Sequence, residues 1–337
     1  MPADLQQRVH EEVQQTKRRS SWSVNRILQG LGISRASYYR WLREESWAKE
    51  RKQAVKFVQP YEALPAEKEA VKQYALEHPE IRHRELAWRM IDEDVAFVSS
   101  STVYRILREE RLIRSHRGRT KRYRQEEEKA QRPDERWGTD LMYLKVGGAT
   151  YYLVAFLDEY SRYIVHWELL TSMDGESVSI AAQAALEKSQ PAQEGRMPVR
   201  PEIRSDNGSA YISKEFHGVL EHHGLSHHKI TPHCPEENGI VERANRTLRE
   251  ALEMEELTNR YQAEDALTRI VNWYNQERLH SSLGYLRPID YYRGHPEQLH
   301  ETRRHKLSAA RHRRKETNIK LRQRTLPLES SKAVTSN

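Results

Sequence analysis

The sequence predicts a multidomain chain: an all-α N-terminal region of helix-turn-helix units, an α/β core on a mixed five-stranded sheet, and a basic C-terminal tail. Three observations carry this. Up to about residue 114, apolar residues recur at helical spacing. From about 140 to 230, the pattern changes to short strands separated by helices. From His300 to the end, eleven Lys/Arg face three acids, a local charge of +8 in a chain of +7.

The elements follow in order. Leu5–Arg18 reads as a helix. Ser23 can cap Val24–Gly30, Gly32 makes the turn, and Ser34 can cap Arg35–Arg43. That spacing fits a helix-turn-helix with apolar faces Val24/Ile27/Leu28 and Tyr39/Leu42, leaving Arg35, Ser37, Tyr38 and Arg40 on the recognition helix. The pattern recurs: Ala66–Glu77 stops before His78-Pro79, Glu85–Asp92 follows, and Ser99, Ser100 or Ser101 can cap Thr102–Glu110. Thr102, Tyr104, Arg105 and Arg108 of this last helix are available to DNA. Strands are expected at Asp140–Val146 and Thr150–Asp158, joined by a Gly147-Gly148 hairpin, and at Arg162–Leu170, Glu202–Ser205 and Leu225–Ile230. Helices are expected at Asp174–Ser189, Glu215–His223, Gly239–Leu257 and Glu264–Gln276. The expected division is 1–58 and 59–114 for the two helix-turn-helix units, 115–133 for a basic linker, 134–294 for the core and 295–337 for the tail.

Charge placement says more than its sum. The run Arg111–Gln125 holds seven bases and no acid, with Lys121 and Arg122 at its centre. With the tail, it gives the electrostatic footprint of a chain that neutralises phosphates. No run of about 18 apolar residues exists, so a membrane span is excluded, and the polar first twenty residues argue against a secretory signal. A single cysteine, Cys234, excludes an intramolecular disulfide and any multi-cysteine zinc site, and the expected setting is cytoplasmic.

Three acids stand out in the middle segment. Asp140 follows Trp137-Gly138-Thr139 and is expected to open the first strand; Asp206 ends the fourth strand before Asn207-Gly208; Glu242 lies one turn into a helix, after a gap of 35 residues. Three hard-oxygen donors suit Mg²⁺ or Mn²⁺, and a pair of such ions can activate an attacking oxygen and stabilise a leaving one on phosphorus. Taken singly, each acid also fits turn chemistry or a surface charge pair.

Trp137…Asp140, Ser205-Asp206-Asn207-Gly208…Phe216 and Thr231-Pro232…Pro235…Asn238-Gly239-Ile240-Val241-Glu242-Arg243…Asn245-Arg246-Thr247-Leu248 together resemble the integrase core of DDE transposases from bacterial insertion sequences. The 35-residue spacing matches, and Trp273-Tyr274-Asn275…Arg278-Leu279-His280-Ser281-Ser282-Leu283-Gly284-Tyr285…Pro288 resembles the segment that closes that core. The resemblance implies an RNase H-like fold with Asp140, Asp206 and Glu242 as catalytic, metal-binding triad. Asp140 would bridge two Mg²⁺ or Mn²⁺ ions, Asp206 would hold one and Glu242 the other. It implies cleavage at the ends of a mobile element, attack by the freed 3′-hydroxyl on target DNA, recognition of terminal inverted repeats, a homo-oligomer on DNA, and work at the nucleoid. The family's retroviral members carry a His/Cys zinc module before the core, which this chain cannot build from Cys234; helix-turn-helix units stand in its place.

Asn245, Arg246 and Arg249 share a helical face with Glu242 and are expected to hold DNA backbone, with Lys229 as a further contact. Arg246 can also pair with Glu250. His222, His223, His227, His228 and His233 read as partly exposed surface rather than a zinc site, and Trp137, Trp167 and Trp273 as packing residues. Two rival functions remain: a DNA-binding regulator with an inactive core, and a nuclease of the same fold.

Overall fold

Local helix signals at the N-terminus act as expected. In this computed structural model, which describes residues 3–43, 59–113, 129–189, 200–231 and 235–325, the chain divides into two compact units. One joins residues 1–62 to the chain after 314, and the other spans Ala63–Arg313. The helices after residue 63 therefore share a unit with the sheet.

The first unit holds α1 (Ala3–Arg19), α2 (Val24–Gly30) and α3 (residues 35–43). Ser23 accepts from the Arg26 amide and caps α2, and Ser34 accepts from the Ser37 amide at 3.1 Å and caps α3. Val13, Ile27, Leu28 and Tyr38 form the small core. Here the expected face of α3 is corrected. Tyr38 is 3% exposed, with His10 Nδ1 3.0 Å from its hydroxyl, whereas Tyr39 is 41% exposed under the Arg35 guanidinium. A tyrosine with a polar partner for its hydroxyl can be buried, so hydrophobicity alone did not say which of the two neighbours turns inward.

The second unit opens with α4 (Pro65–Glu77), α5 (His83–Asp92) and α6 (Ser100–Glu109). They pack around Val71, Leu86, Met90, Val98, Val103 and Leu107. Ser99 caps α6 by accepting from the Thr102 amide at 3.3 Å.

The sheet has strands β1 (Arg136–Val146), β2 (Ala149–Asp158), β3 (Ile164–Leu170), β4 (Glu202–Ser205) and β5 (His227–Lys229), in the order β3-β2-β1-β4-β5. The first three pair antiparallel, and β4 and β5 run parallel to β1. Val146 pairs with Ala149, so the hairpin turn is the two glycines, both at positive φ (55° and 82°), as a primed turn requires. Strand β1 starts four residues before the expected opening at Asp140, because Arg136–Gly138 pair with Glu202–Arg204. That pairing joins segments more than sixty residues apart, which no local pattern reveals.

Alternation in β2 divides the core. Leu153, Ala155 and Leu157 face one side, packed by α9 (Gly239–Leu252) and α10 (Arg260–Gln276). Val154 and Phe156 face the other, packed by α7 (Gly175–Ser189) and α8 (Lys214–His223). Helix α9 ends five residues earlier than expected, where its buried stripe of Val241, Ala244, Leu248 and Leu252 runs out; Asn259 then caps α10. After the short α11 (Pro288–Tyr292), the expected tail is instead one long helix, α12 (Pro296–Thr325). Its apolar content is too low for helical periodicity to show in sequence. Salt bridges and hydrogen bonds order it instead: Arg303 grips Asp92 at 2.6 Å in the second unit, and Asn318 reaches the carbonyl of Glu62 at 2.9 Å in the first. No helix among the described residues is long and apolar enough to cross a membrane.

Candidate active site at the sheet edge of helix α9

Asp140 sits mid-strand on β1, opposite Ala155, so its side chain lies on the sheet face that α9 covers. There Asn245 Nδ2 donates to Asp140 Oδ2 at 3.0 Å, and the Leu141 amide donates to Oδ1 at 3.0 Å. Burial pushes the Asp140 carboxyl up to about 6, with Asp206 and, more weakly, Glu242 adding repulsion against these two hydrogen bonds. Asp206 and Glu242 thus lie within electrostatic reach of Asp140, although 65 and 101 residues separate them from it in sequence.

Each acid has its own support. Asp206 leaves β4 into a turn in which its Oδ1 accepts from the Gly208 amide at 2.9 Å, and Asn207 Nδ2 donates to the Ile230 carbonyl. Before it, Ser205 Oγ meets His227 Nε2 at 2.9 Å; burial, then His217, Lys229 and His228, hold that imidazole down to about 4. Glu242 lies in the first turn of α9, beside the buried stripe but itself exposed. Tyr211, fully buried behind Asp140 and Asp206, is 3.1 Å from Thr139 Oγ1 through its hydroxyl.

A second layer of charge ties these supports together. Glu159 is 5% exposed and lies between two guanidinium groups, Arg204 Nη1 at 3.6 Å and Arg136 Nη1 at 3.8 Å. Arg136 also bonds Glu202 at 2.5 Å. Arg204, two residues before Asp206, donates to the Glu237 carbonyl at 3.1 Å, in the 3₁₀ turn that feeds α9. A Cβ on Gly138 would come within 2.3 Å of Val241 Cγ2, so glycine lets β1 and the start of α9 approach. None of Glu159, Arg204 or Gly138 was singled out from sequence, since their value is set by partners distant in the chain.

The donor chemistry, oxygens only, fits a hard divalent cation. The acids are not drawn into a closed cage, however: among the described residues no group of three His, Cys, Asp or Glu side chains stands close enough to hold a metal ion. Nor do the described histidines form a group that could hold zinc.

Other expected contacts divide. Asn245 is 5% exposed and donates its amide to Asp140. Its helix position was legible, but its inward turn follows from the β1 register. Lys229, Arg246 and Arg249 are exposed, and Arg246 bonds Glu250 at 2.8 Å. In the second unit Tyr104, Arg105 and Arg108 are exposed, and Thr102 accepts from Arg105 at 3.2 Å. In the first unit Arg35 and Arg40 are exposed, Ser37 is half-buried, and Tyr38 is buried. Lys121, Arg122, His233 and Cys234 lie outside the described residues. Trp137 is fully buried and Trp167 partly so, but Trp273 is 37% exposed and is not a core residue.

Residues 130–235 match the family model for the integrase core domain, and residues 223–288 match a second model of the same description. The central segment thus resembles an integrase core domain. The mixed five-stranded sheet expected of the core is present, in the order β3-β2-β1-β4-β5, and the segment is similar to transposases of bacterial insertion sequences. The chain is 28% identical over 165 residues to the transposase for insertion sequence element IS904 of Lactococcus lactis, covering 48% of this chain and 63% of the relative. It is also 28% identical over 162 residues to the transposase for insertion sequence element IS629 of Shigella sonnei, covering 48% and 52%. The match thus spans little more than half the length of these relatives. Among solved structures, this chain is similar to the HTLV-2 integrase catalytic core domain in complex with magnesium, at 18% identity and a TM-score of 0.38, covering 48% of this chain and 98% of that one.

Proposed function

We propose that this chain is a transposase that cleaves DNA at the ends of a mobile element and joins the freed 3′-hydroxyl to target DNA. The observation that supports it most is that Asp206 and Glu242 lie within electrostatic reach of Asp140 in a segment that matches the integrase core model. These three would hold Mg²⁺ or Mn²⁺, two ions per site; bound, such ions polarise the attacking and leaving oxygens on phosphorus. The protein's own part is positional. Asn245 orients the Asp140 carboxylate. Arg204 ties the Asp206 strand to the turn that carries Glu242. The exposed bases of α3, α6 and α9 would engage double-stranded DNA, including terminal inverted repeats, and a homo-oligomer would hold both element ends. The working place would be the cytoplasm, at the nucleoid.

The test is a Mg²⁺-dependent cleavage and strand-transfer assay on element-end duplexes, with Asp206→Asn and Glu242→Gln. Both substitutions should abolish cut and joined products while leaving DNA binding in place; products from either variant would end the mechanism. One observation favours the rival reading of a DNA-binding regulator: the acids are not gathered into a closed metal cage. That rival predicts sequence-specific binding by the wild-type chain with no cleavage in any divalent metal.

A further inference from the structure

Asp206 is tied to the neighbouring strand as well as to its own turn. Ser205, the last residue of β4, is fully buried and shares a face of that strand with Ile203, which packs in the core under α7 and α8. On that face Ser205 Oγ donates to the Asp206 carbonyl at 2.9 Å and meets Nε2 of His227, on β5, at 2.9 Å. The parallel register prepares this meeting. Ile203 lies opposite His227 and Ser205 opposite Lys229, and the Ile230 amide donates to the Ser205 carbonyl at 3.1 Å. The His227 ring stands edge-on to Phe216 of α8, with centroids 5.5 Å apart, and His217 of the same helix lies at the same distance.

The proton count decides which atom donates. A serine hydroxyl has one hydrogen, and the Asp206 carbonyl, which can only accept, takes it. His227 Nε2 then carries the ring proton and donates to Ser205 Oγ. The other ring nitrogen, Nδ1, is buried and has no hydrogen-bond partner among the described residues, so no acceptor waits there for a second proton. The opposite tautomer would give up the bond to Asp206 and bury an Nδ1–H without an acceptor, two losses where the first leaves only a bare nitrogen. Burial, with His217, Lys229 and His228 around it, keeps the ring neutral. Donation therefore runs one way, from His227 through Ser205 to the main chain of Asp206.

We propose that His227 and Ser205 are positioning residues for Asp206: the pair pins the Asp206 main chain so that its carboxylate meets a divalent cation in one orientation. Holding the carbonyl fixes the ψ torsion of Asp206. That torsion sets where the Gly208 amide lies, and this amide in turn holds Asp206 Oδ1 at 2.9 Å. The pair acts through the backbone and touches neither metal nor substrate. Strand β5 is three residues long and lies at the sheet edge, so its own ladder is short and a side-chain bond to β4 counts for more. Groups that orient a metal ligand from behind change metal affinity about 10–100-fold when removed. The inference rests on the metal-dependent function proposed above, from which its failure can be told apart.

The experiment titrates Mn²⁺ into the full-length chain without DNA and reads free Mn²⁺ by electron paramagnetic resonance, beside thermal melts. Asp206→Asn sets the level for loss of this ligand. Ser205→Ala should weaken Mn²⁺ binding roughly ten-fold, and so should His227→Phe, which keeps a ring against Phe216. His227→Gln, whose Nε2 reaches the same place and donates, should recover most of that affinity. The double variant of Ser205→Ala with His227→Phe should bind no more weakly than Ser205→Ala alone, because His227 acts through the hydroxyl. In an Asp206→Asn background, His227→Phe should change nothing. The Mg²⁺ needed for half-maximal cleavage of an element-end duplex should rise in the same order across the variants. Wild-type Mn²⁺ affinity in either Ser205→Ala or His227→Phe overturns the proposal. Additive losses in the double variant also overturn it, as does a His227→Gln chain that binds as weakly as His227→Phe; both would mark His227 as packing for β5 only. A wild-type titration that matches Asp206→Asn overturns the metal-dependent reading itself.

Discussion

Asp140→Asn should stabilise the protein at neutral pH, although it removes an acid expected to be essential. Burial, Asp206 and Glu242 together raise the Asp140 carboxyl from 3.8 to about 6. A carboxyl whose folded pKa exceeds its unfolded value holds its proton more tightly in the native state. Its burden is absent below about pH 4, grows from pH 4 to 6 and is complete above that. Two units at ~1.36 kcal/mol each come to about 3 kcal/mol at pH 7.5. Asparagine removes this burden but offers one carbonyl oxygen to two donors, the Leu141 amide and Asn245 Nδ2, which returns about 1 kcal/mol. Asn245 Oδ1 is buried without a partner, so an amide flip can accept from the new side chain and limit that loss. The net gain is about 2 kcal/mol. Urea denaturation in EDTA at pH 7.5 and pH 4 reads it, because groups not coupled to Asp140 cancel between variant and wild type. The gain should be present at pH 7.5 and gone or reversed at pH 4. An Asp140→Asn variant no more stable than wild type at pH 7.5, or equally stabilised at both pH values, would refute the electrostatic argument.

Two further perturbations probe the framework behind the acids. Arg204→Met should destabilise the fold by roughly 3–5 kcal/mol, because it takes one guanidinium partner from the buried Glu159 and frees the Glu237 turn; chemical denaturation measures it, and a loss under 1 kcal/mol would remove Arg204 from its supporting role. Gly138→Ala should cost about 1–3 kcal/mol, since its Cβ would press to 2.3 Å from Val241 Cγ2; a thermal melt reports it, and relief of the loss by Val241→Ala would trace it to that contact.

Much of the molecule was legible in the chain itself. Caps at Ser23, Ser34 and Ser99 start helices where they were expected, because a side-chain oxygen three residues before a free amide acts locally. The diglycine turn and the alternation in β2 are local too. Asp140, Asp206 and Glu242 stand out in the sequence through their spacing and the resemblance it carries. What sequence order could not say is which groups face each other. Trp137, Gly138 and Arg136 became strand only by pairing with β4, and Tyr38 rather than Tyr39 turned inward because His10 could meet its hydroxyl. The hydrogen bond from Asn245 to Asp140 likewise depends on where the β1 register places Asp140. The basic tail became a helix through Asp92 and Glu62, partners more than two hundred residues away. Local rules act through neighbours a few bonds distant and can be read along the chain. The position of Asp140 against Asn245, of Glu159 between Arg136 and Arg204, and of Arg278 over Tyr274 depends on surfaces that exist only after the sheet and α9 and α10 have packed.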